Sequence, residues 1–391
     1  MATNLRGRYA IVGVGNSPLG KVPEMSSLDL FVMAAKRAID DAGISKDEID
    51  GLITRGPDDV NVHHQRVGQL LGLNVDFSTS TDNGGASQIL NVAMACMAID
   101  AGMCTTVLCG YGRDAWSRTH RNETARMRVA TTDPSLARQE FGPEFGLFGA
   151  PANYALAARR HMQLFGTTKE QLGSIAIAFR EHAARNPEAF VRDPLTMDDY
   201  LSARLIVDPL SFYDCSIFAD AAGAVIVTSL ERARSLRQPP AHILGFGFGN
   251  NLRGWHHDEN MVDTGARRAG ETAYRMAGVS PGDIDAAQIY DCFTHMVLLQ
   301  LEDYGFCEKG EGGPFAASGA LTLEGRLPTN TSGGQLSEAH AEGMLQVVEG
   351  VRQVRHDYGP DRQVRDAELV LVTGHGGATV CQSALVLGRD R

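Results

Sequence analysis

A chain of 391 residues that is 43% apolar and holds 43 glycines is too long for one simple core; it has the composition of compact α/β layers joined by tight turns, with two domains or two similar halves expected. Its net charge of −11 excludes a generally basic surface of the kind that binds nucleic acid or an anionic membrane, so neither partner is expected. The seven cysteines have no paired metal-ribbon spacing, no uncharged stretch of about 18 residues marks a membrane span, and Met1 to Arg8 lack a signal-like apolar run, so a cytoplasmic protein is expected.

In chain order, Tyr9 to Gly15 reads as a buried strand, and Leu28 to Asp41, with alanines at helical spacing and Gly43 as the stop, reads as a helix. Asn83-Gly84-Gly85 opens an apolar helix reaching about Ala101, followed by a strand at Thr105 to Gly110. Between Arg113 and Leu205 lies a long insertion with helix patterns at Asn153 to Leu164 and Thr168 to Arg185; long insertions on a rigid scaffold tend to carry substrate contacts. Within it, the glycine-rich apolar segment Phe141 to Gly149 suits a pocket lining or a subunit contact equally. Ala222 to Val227 reads as a closing strand.

The pattern then begins again. Ala241 to Gly247 is a strand and Ala266 to Met276 a helix stopped at Gly278. Ser332-Gly333-Gly334 opens a helix reaching about Arg355, Glu368 to Gly374 is a strand, and Ala378 to Leu387 closes the chain. A short signature marks the two copies: Ala42-Gly43-Ile44-Ser45 with Glu48-Ile49-Asp50 returns as Ala277-Gly278-Val279-Ser280 with Asp283-Ile284-Asp285. Near-continuous apolar strands must be covered on both faces, so the repeat predicts a duplicated five-layer α-β-α-β-α architecture with an inserted loop domain. The division is 1–112 with 206–235 for the first half, 113–205 for the insertion and 236–391 for the second half.

Ligands of such folds gather where helix N-termini meet the C-terminal ends of strands, because free N–H groups there favour an oxyanion. Four places qualify: Thr81 to Gly85, Tyr290-Asp291-Cys292-Phe293-Thr294, Asn330 to Gly334 with His340, and Gly374-His375-Gly376-Gly377. No metal site is expected, since the adjacent pairs His63-His64 and His256-His257 cannot both aim at one ion from a helix or strand.

These segments, with Leu301-Glu302-Asp303-Tyr304-Gly305-Phe306-Cys307-Glu308-Lys309-Gly310, make nearly the whole chain similar to the sterol-carrier-protein-type branch of the thiolase superfamily, the lipid-transfer proteins. The resemblance implies a thiolase fold, but both thiolase cysteines are missing: the nucleophile position falls on Thr81 and the second cysteine on Gly374. The family's His-Asp-Cys-Phe element reads Tyr290-Asp291-Cys292-Phe293, and only the histidine of its Gly-His-Pro element remains, as Ala339-His340-Ala341.

That combination resembles the cysteine-less aldolases of steroid side-chain degradation, which break a carbon–carbon bond in a β-hydroxyacyl-CoA. It implies a catalytic set of Tyr290, His340, Asp291 and His375, with Tyr290 as leading acid or base, and substrate contacts at Thr81, Asn330, Gly333 and Gly376. His340 falls where some of these aldolases have a second tyrosine. Further implications are coenzyme A as part of the substrate with no other cofactor, a small zinc-ribbon/OB-fold companion protein, and a homodimer through the helix whose Ala86, Ala93, Ala95 and Ala98 form a small face. Two other readings stay open: an acyltransferase with an unconventional nucleophile, such as Thr81 or a nearby cysteine, and a non-catalytic lipid or acyl-CoA carrier.

Overall fold

A computed structural model describes residues 5–57, 60–121, 149–252, 261–377 and 380–389. The chain begins with β1 (Tyr9–Asn16), α1 (Ser27–Ala42), β2 (Gly51–Arg55), α2 (His63–Leu71), β3 (Phe77–Ser80), α3 (Ser87–Asp100), β4 (Thr106–Asp114) and α4 (Ala115–Arg121). The insertion adds α5 (Gly149–Phe165), α6 (Lys169–Arg185), α7 (Met197–Ser202) and the pair β5 (Leu205–Val207) and β6 (Leu210–Ser211), before β7 (Asp220–Ser229) and α8 (Leu230–Ala233). The second copy comprises β8 (Ala241–Asn250), α9 (Ala266–Ala277), β9 (Ala286–Gln288), α10 (Thr294–Asp303), α11 (Gly312–Ala317), α12 (Gly334–Ser337), α13 (Met344–Arg355), β10 (Leu369–Gly376) and β11 (Cys381–Gly388).

The duplication is visible in the sheet, ordered β3-β2-β4-β7-β1-β8-β11-β10-β9. Read outward from the central pair, β1-β7-β4-β2-β3 is matched by β8-β11-β10-β9, and the missing fifth strand survives as one parallel bridge, Ala287 to Thr329. The two half-sheets join through the short antiparallel pairing of Ala10 and Ile11 with His242 and Ala241.

Three apolar clusters separate five layers, as expected. One lies where α1 and α2 cover the outer face of the first half-sheet, one where α6, α9 and α10 cover that of the second, and the largest buries α3 and α13 between the two. The strand–helix contact is the same in both copies. A Cβ on Gly13 or Gly15 would stand 2.2 or 2.3 Å from the carbonyls of Ala38 and Ala34 in α1. Its counterparts on Gly245 and Gly247 would stand 2.3 and 2.0 Å from Ala273 and Ala269 in α9. Alternate glycines on the strand and alanines four apart on the helix let the two backbones touch.

The repeated signature is a helix stop, a capped turn and a strand clamp. Gly43 and Gly278 end their helices in the left-handed region, and Ser45 with Glu48, then Ser280 with Asp283, close reciprocal capping boxes. The final aspartates hold the next strand: Asp50 accepts from the Thr105 and Thr106 amides, and Asp285 from those of Glu368 and Leu369 at 2.9 and 2.8 Å. Asp285→Ala is therefore expected to cost about 1–3 kcal/mol. A lowered urea midpoint at unchanged m would show it, and an unchanged midpoint would disprove the clamp.

Two elements differ from expectation. The helix expected from Gly333 to about Arg355 is broken after Ser337, because Glu342 and Gly343 take positive φ of 47° and 88°, which no helix interior allows. His340 consequently sits in a loop between α12 and α13, not on a helix. The helix expected from Asn83 starts at Ser87, after a turn through Gly84 at φ 54°. The alanine face of α3 is also already occupied: Ala86, Ala93, Ala95 and Ala98 are at most 4% exposed within the chain's own core, so they are not a free surface for a partner subunit. Most of the Phe141 to Gly149 segment, the His256-His257 pair and Ala378 lie outside the described residues.

Candidate active site

Directly after β9 the chain turns through Ile289 to Phe293 into α10, and neighbouring side chains fix this turn at every step. Asn330, held at φ 51°, brackets Ile289: its Oδ1 accepts from the Ile289 amide at 2.7 Å and its Nδ2 donates to the Ile289 carbonyl at 2.8 Å. The Tyr290 amide donates to Thr373 Oγ1 at 2.9 Å, and Gln300 Nε2 donates to the Tyr290 carbonyl at 2.7 Å. Backbone this constrained delivers its side chain to one place.

That place is the N-terminal turn before α3. A Cβ on Gly85 would stand 2.1 Å from the Tyr290 ring and 2.5 Å from its Oη, and one on Gly343 would stand 3.2 Å from the ring's Cδ2. The phenol thus fills the space two absent side chains leave. Its Oη lies 3.4 Å from His340 Nε2, a long contact of the kind that tightens when a ligand is bound. Ser216 Oγ, 3.1 Å from His340 Nδ1, completes a line Ser216–His340–Tyr290.

A second line flanks the first. His375, on β10, has its ring centroid 5.7 Å from that of Tyr290. Its Nδ1 is 2.7 Å from Gln382 Nε2 on β11, and its Nε2 is 2.5 Å from the hydroxyl of Tyr154, which α5 supplies from the insertion. Tyr154 also packs at a tilt on Phe293, ring centroids 4.6 Å apart, in the apolar cluster that holds Cys292.

Asp291 faces away from this chemistry. Its carboxylate accepts from the Gln335 and Leu336 amides at 2.9 and 3.2 Å and from Gln346 Nε2 at 3.0 Å, so it ties Tyr290 to α12 and α13 on either side of the His340 loop. Behind that loop Arg55, at the end of β2, pairs with Glu342 at 2.8 Å, and the Tyr111 hydroxyl donates to the same carboxylate at 3.3 Å.

Burial sets the protonation states. The Tyr290 phenol is held well above its ordinary range by burial first and then by the Glu342 charge, against Arg55 and Arg113. His340 is held well below its usual value by burial and the same two arginines, and burial lowers His375 to about 4. Burial raises Asp291 to about 6, against its hydrogen-bond donors. At neutral pH the centre is therefore a phenol and two neutral imidazoles beside a carboxylate, which suits proton relay. It does not suit nucleophilic attack: burial pushes the thiols of all seven cysteines above the ordinary range, and Cys292, the one beside Tyr154, is 6% exposed.

Of the residues singled out in the sequence, Tyr290, His340 and His375 come together, with Asp291 and Asn330 as supports. Gly376 is a close approach: a Cβ there would stand 2.0 Å from the Asn83 carbonyl, which joins the turn before α3 to the end of β10. Gly333 packs against Ala183 of α6, and the Thr81 hydroxyl is engaged with Asn91 at 2.6 Å. Sequence reasoning missed Tyr154, Ser216, Arg55 and Glu342. Tyr154 was within reach, as the tyrosine of a helix in an insertion expected to contact substrate.

Among the described residues no group of three His, Cys, Asp or Glu could hold a metal ion, and no helix is long and apolar enough to cross a membrane.

Residues 249–389 match the family described as thiolase C-terminal domain-like. The chain is 37% identical to the steroid side-chain-cleaving aldolase of Thermomonospora curvata, covering 99% of both chains. It is 35% identical to the 17-hydroxy-3-oxo-4-pregnene-20-carboxyl-CoA lyase of Mycobacterium tuberculosis, over 98% of this chain and 100% of that one. The solved structure of the Ltp2-ChsH2(DUF35) aldolase superposes with a TM-score of 0.89 at 36% identity, covering 100% of both chains.

Proposed function

This chain belongs to the thiolase superfamily, in the lipid-transfer branch that includes steroid side-chain-cleaving aldolases, and from that premise we propose that it cleaves a steroid-like β-hydroxyacyl-CoA by a retro-aldol reaction at Tyr290 and His340. The observation that carries this reading is the phenol of Tyr290, seated on Gly85 and facing a neutral imidazole where no thiolate stands.

The reaction breaks the bond between the α- and β-carbons of the thioester: the β-carbon, which carries the hydroxyl, leaves as a ketone, and the α-carbon stays with the shortened acyl-CoA and gains a hydrogen. Tyr290 Oη accepts the hydroxyl proton while its own proton passes to His340 Nε2, so neither group need be ionised beforehand; Ser216 steadies the far nitrogen. The carbon–carbon electron pair moves into the thioester as an enolate. Arg55 and Arg113, whose charges reach Tyr290 and His340, favour that negative charge. Asp291 and Asn330 hold the geometry, and Gly376, with Thr81 and Gly333 further out, belongs to the substrate-side framework.

Coenzyme A enters as part of the substrate, and no other cofactor is needed for this chemistry. A DUF35 companion, of zinc-ribbon/OB-fold type, forms part of the same reading, supported by the similar aldolase named with ChsH2(DUF35). So does a homodimer in the cytoplasm. Its support is the sheet-edge strand β3 with Met97 and Met103, which are 44% and 50% exposed, and not the alanine face of α3.

The test is incubation with 17-hydroxy-3-oxo-4-pregnene-20-carboxyl-CoA, with and without a DUF35 companion. A 17-ketosteroid and propionyl-CoA with no protein adduct are expected; an acylated Thr81 or cysteine peptide would return the chain to the acyltransferases. Binding without turnover in every combination would leave a carrier.

A further inference from the structure

The retro-aldol reaction has two proton transfers, and the pair Tyr290–His340 accounts for one. The enolate released by bond cleavage still needs a proton on carbon, at a point separate from the hydroxyl oxygen. We propose that Tyr154, held by His375, is the acid that protonates this enolate carbon, so that the enzyme runs its two proton transfers at two separate stations. This rests on the retro-aldol reading above.

Both stations are built into the fold on either side of the Tyr290 ring. His340 reaches Tyr290 from the loop before α13, with ring centroids 6.4 Å apart, while His375 lies 5.7 Å from the same ring on β10. Tyr154 comes from neither repeat but from α5 of the insertion, and it is placed by the 2.5 Å bond to His375, the tilted ring contact with Phe293 and an edge contact with His295 at 5.7 Å. This is far more positioning than a buried tyrosine needs to satisfy one hydroxyl.

The hydrogen-bond order gives the direction of transfer. With Gln382 Nε2 donating to His375 Nδ1, the imidazole hydrogen sits on Nε2 and points at Tyr154 Oη. The phenol's own hydrogen is then not committed to His375 and is the one available for transfer. On transfer, the Tyr154 O–H bond breaks and a C–H bond forms at the α-carbon, and His375 Nε2–H stabilises the phenolate left behind. One proton has left the substrate hydroxyl and one has arrived on carbon; the imidazolium at His340 and the phenolate at Tyr154 reset through solvent when products leave. His375, 1% exposed, touches Tyr154 and not the substrate, which makes it a positioning residue.

By microscopic reversibility the group that protonates the α-carbon also removes its proton, so the second station can be assayed alone. The full chain, alone and with a DUF35 companion, is incubated with propionyl-CoA in deuterium oxide, and deuterium at the α-carbon is read by mass spectrometry while cleavage is measured in parallel. Wild type is expected to exchange. Tyr154→Phe should exchange about a hundredfold more slowly, whereas Tyr290→Phe should lose cleavage and keep exchange. His375→Gln, which leaves the phenol in place, should slow exchange and move its alkaline pH limb upward, a change that loss of packing alone would not produce; it also serves if Tyr154→Phe fails to fold. Wild-type exchange in Tyr154→Phe, or parallel loss of exchange in the Tyr154 and Tyr290 variants, would overturn the proposal, as would a wild type that cleaves but does not exchange. A wild type that does neither refutes the retro-aldol reading instead.

Discussion

Tyr290→Phe is expected to lower kcat for cleavage by about 10²–10⁴-fold with little change in thermal stability. The ring's seat does not depend on its hydroxyl: Gly85 and Gly343 shape it, while Thr373 and Gln300 hold the backbone on which it is carried. Among the described residues, Oη makes its hydrogen bond at the long 3.4 Å contact to His340, so removing the oxygen costs the folded state little. What disappears is the atom between the substrate hydroxyl and His340 Nε2. That bond strengthens only as the hydroxyl loses its proton, so kcat and kcat/KM should fall together with KM nearly constant. Because burial holds the phenol well above its ordinary range and His340 well below its own, the wild-type rate should show no ionisation of either group across neutral pH. A Tyr290→Phe enzyme with wild-type kcat would remove the phenol from the chemistry. A similar loss in His340→Ala, partly recovered by added imidazole, would place the relay on both residues.

The fold was legible in the sequence because its main constraints are local and occur twice. Glycine at Gly43 and Gly278, serine at Ser45 and Ser280, and aspartate at Asp50 and Asp285 are each required by a cap, a turn or a clamp that involves few atoms. The broken helix was not legible. Its break depends on Glu342 adopting φ 47° while paired with Arg55, a contact between residues far apart in the chain, whereas the apolar spacing runs on without interruption. The site divides in the same way. Tyr290 and His340 stand out through the resemblance of Tyr290-Asp291-Cys292-Phe293 and Ala339-His340-Ala341 to family elements, and His375 through its place between glycines at the end of an apolar strand. Ser216 and Arg55 carry no such mark, and the strand that Arg55 ends was not anticipated; only the folded chain brings them behind His340. Thr81, expected to contact substrate, has its hydroxyl on Asn91 Oδ1 at 2.6 Å, a partner ten residues along the chain that its place before a glycine turn does not announce.

Across pH 6 the enzyme is expected to gain activity while losing a part of its stability, and Asp291→Asn should abolish both trends. Burial raises the Asp291 carboxyl to about 6 from an ordinary 3.8, and the side chain is 0% exposed. A raised folded value means the folded state prefers the protonated form more than the unfolded chain does. The associated stability is therefore fully present below about pH 3.8 and is lost as pH rises through about 6, an effect of about 3 kcal/mol for the shift cited. Activity runs the other way, because only the carboxylate accepts from Gln335, Leu336 and Gln346 together and so holds α12 and α13 on either side of His340. In Asp291→Asn one oxygen still accepts, but the new amide turns an N–H toward the Leu336 N–H, so the loop is loosened at every pH and the activity stays low. Chemical-denaturation midpoints and kcat measured from pH 4 to about 8 on both proteins check this. If wild type and Asp291→Asn change in parallel over that range, Asp291 is not the group that couples the tyrosine turn to the histidine loop. If they diverge in the stated directions, the cost of burying this carboxylate is what keeps His340 within reach of Tyr290.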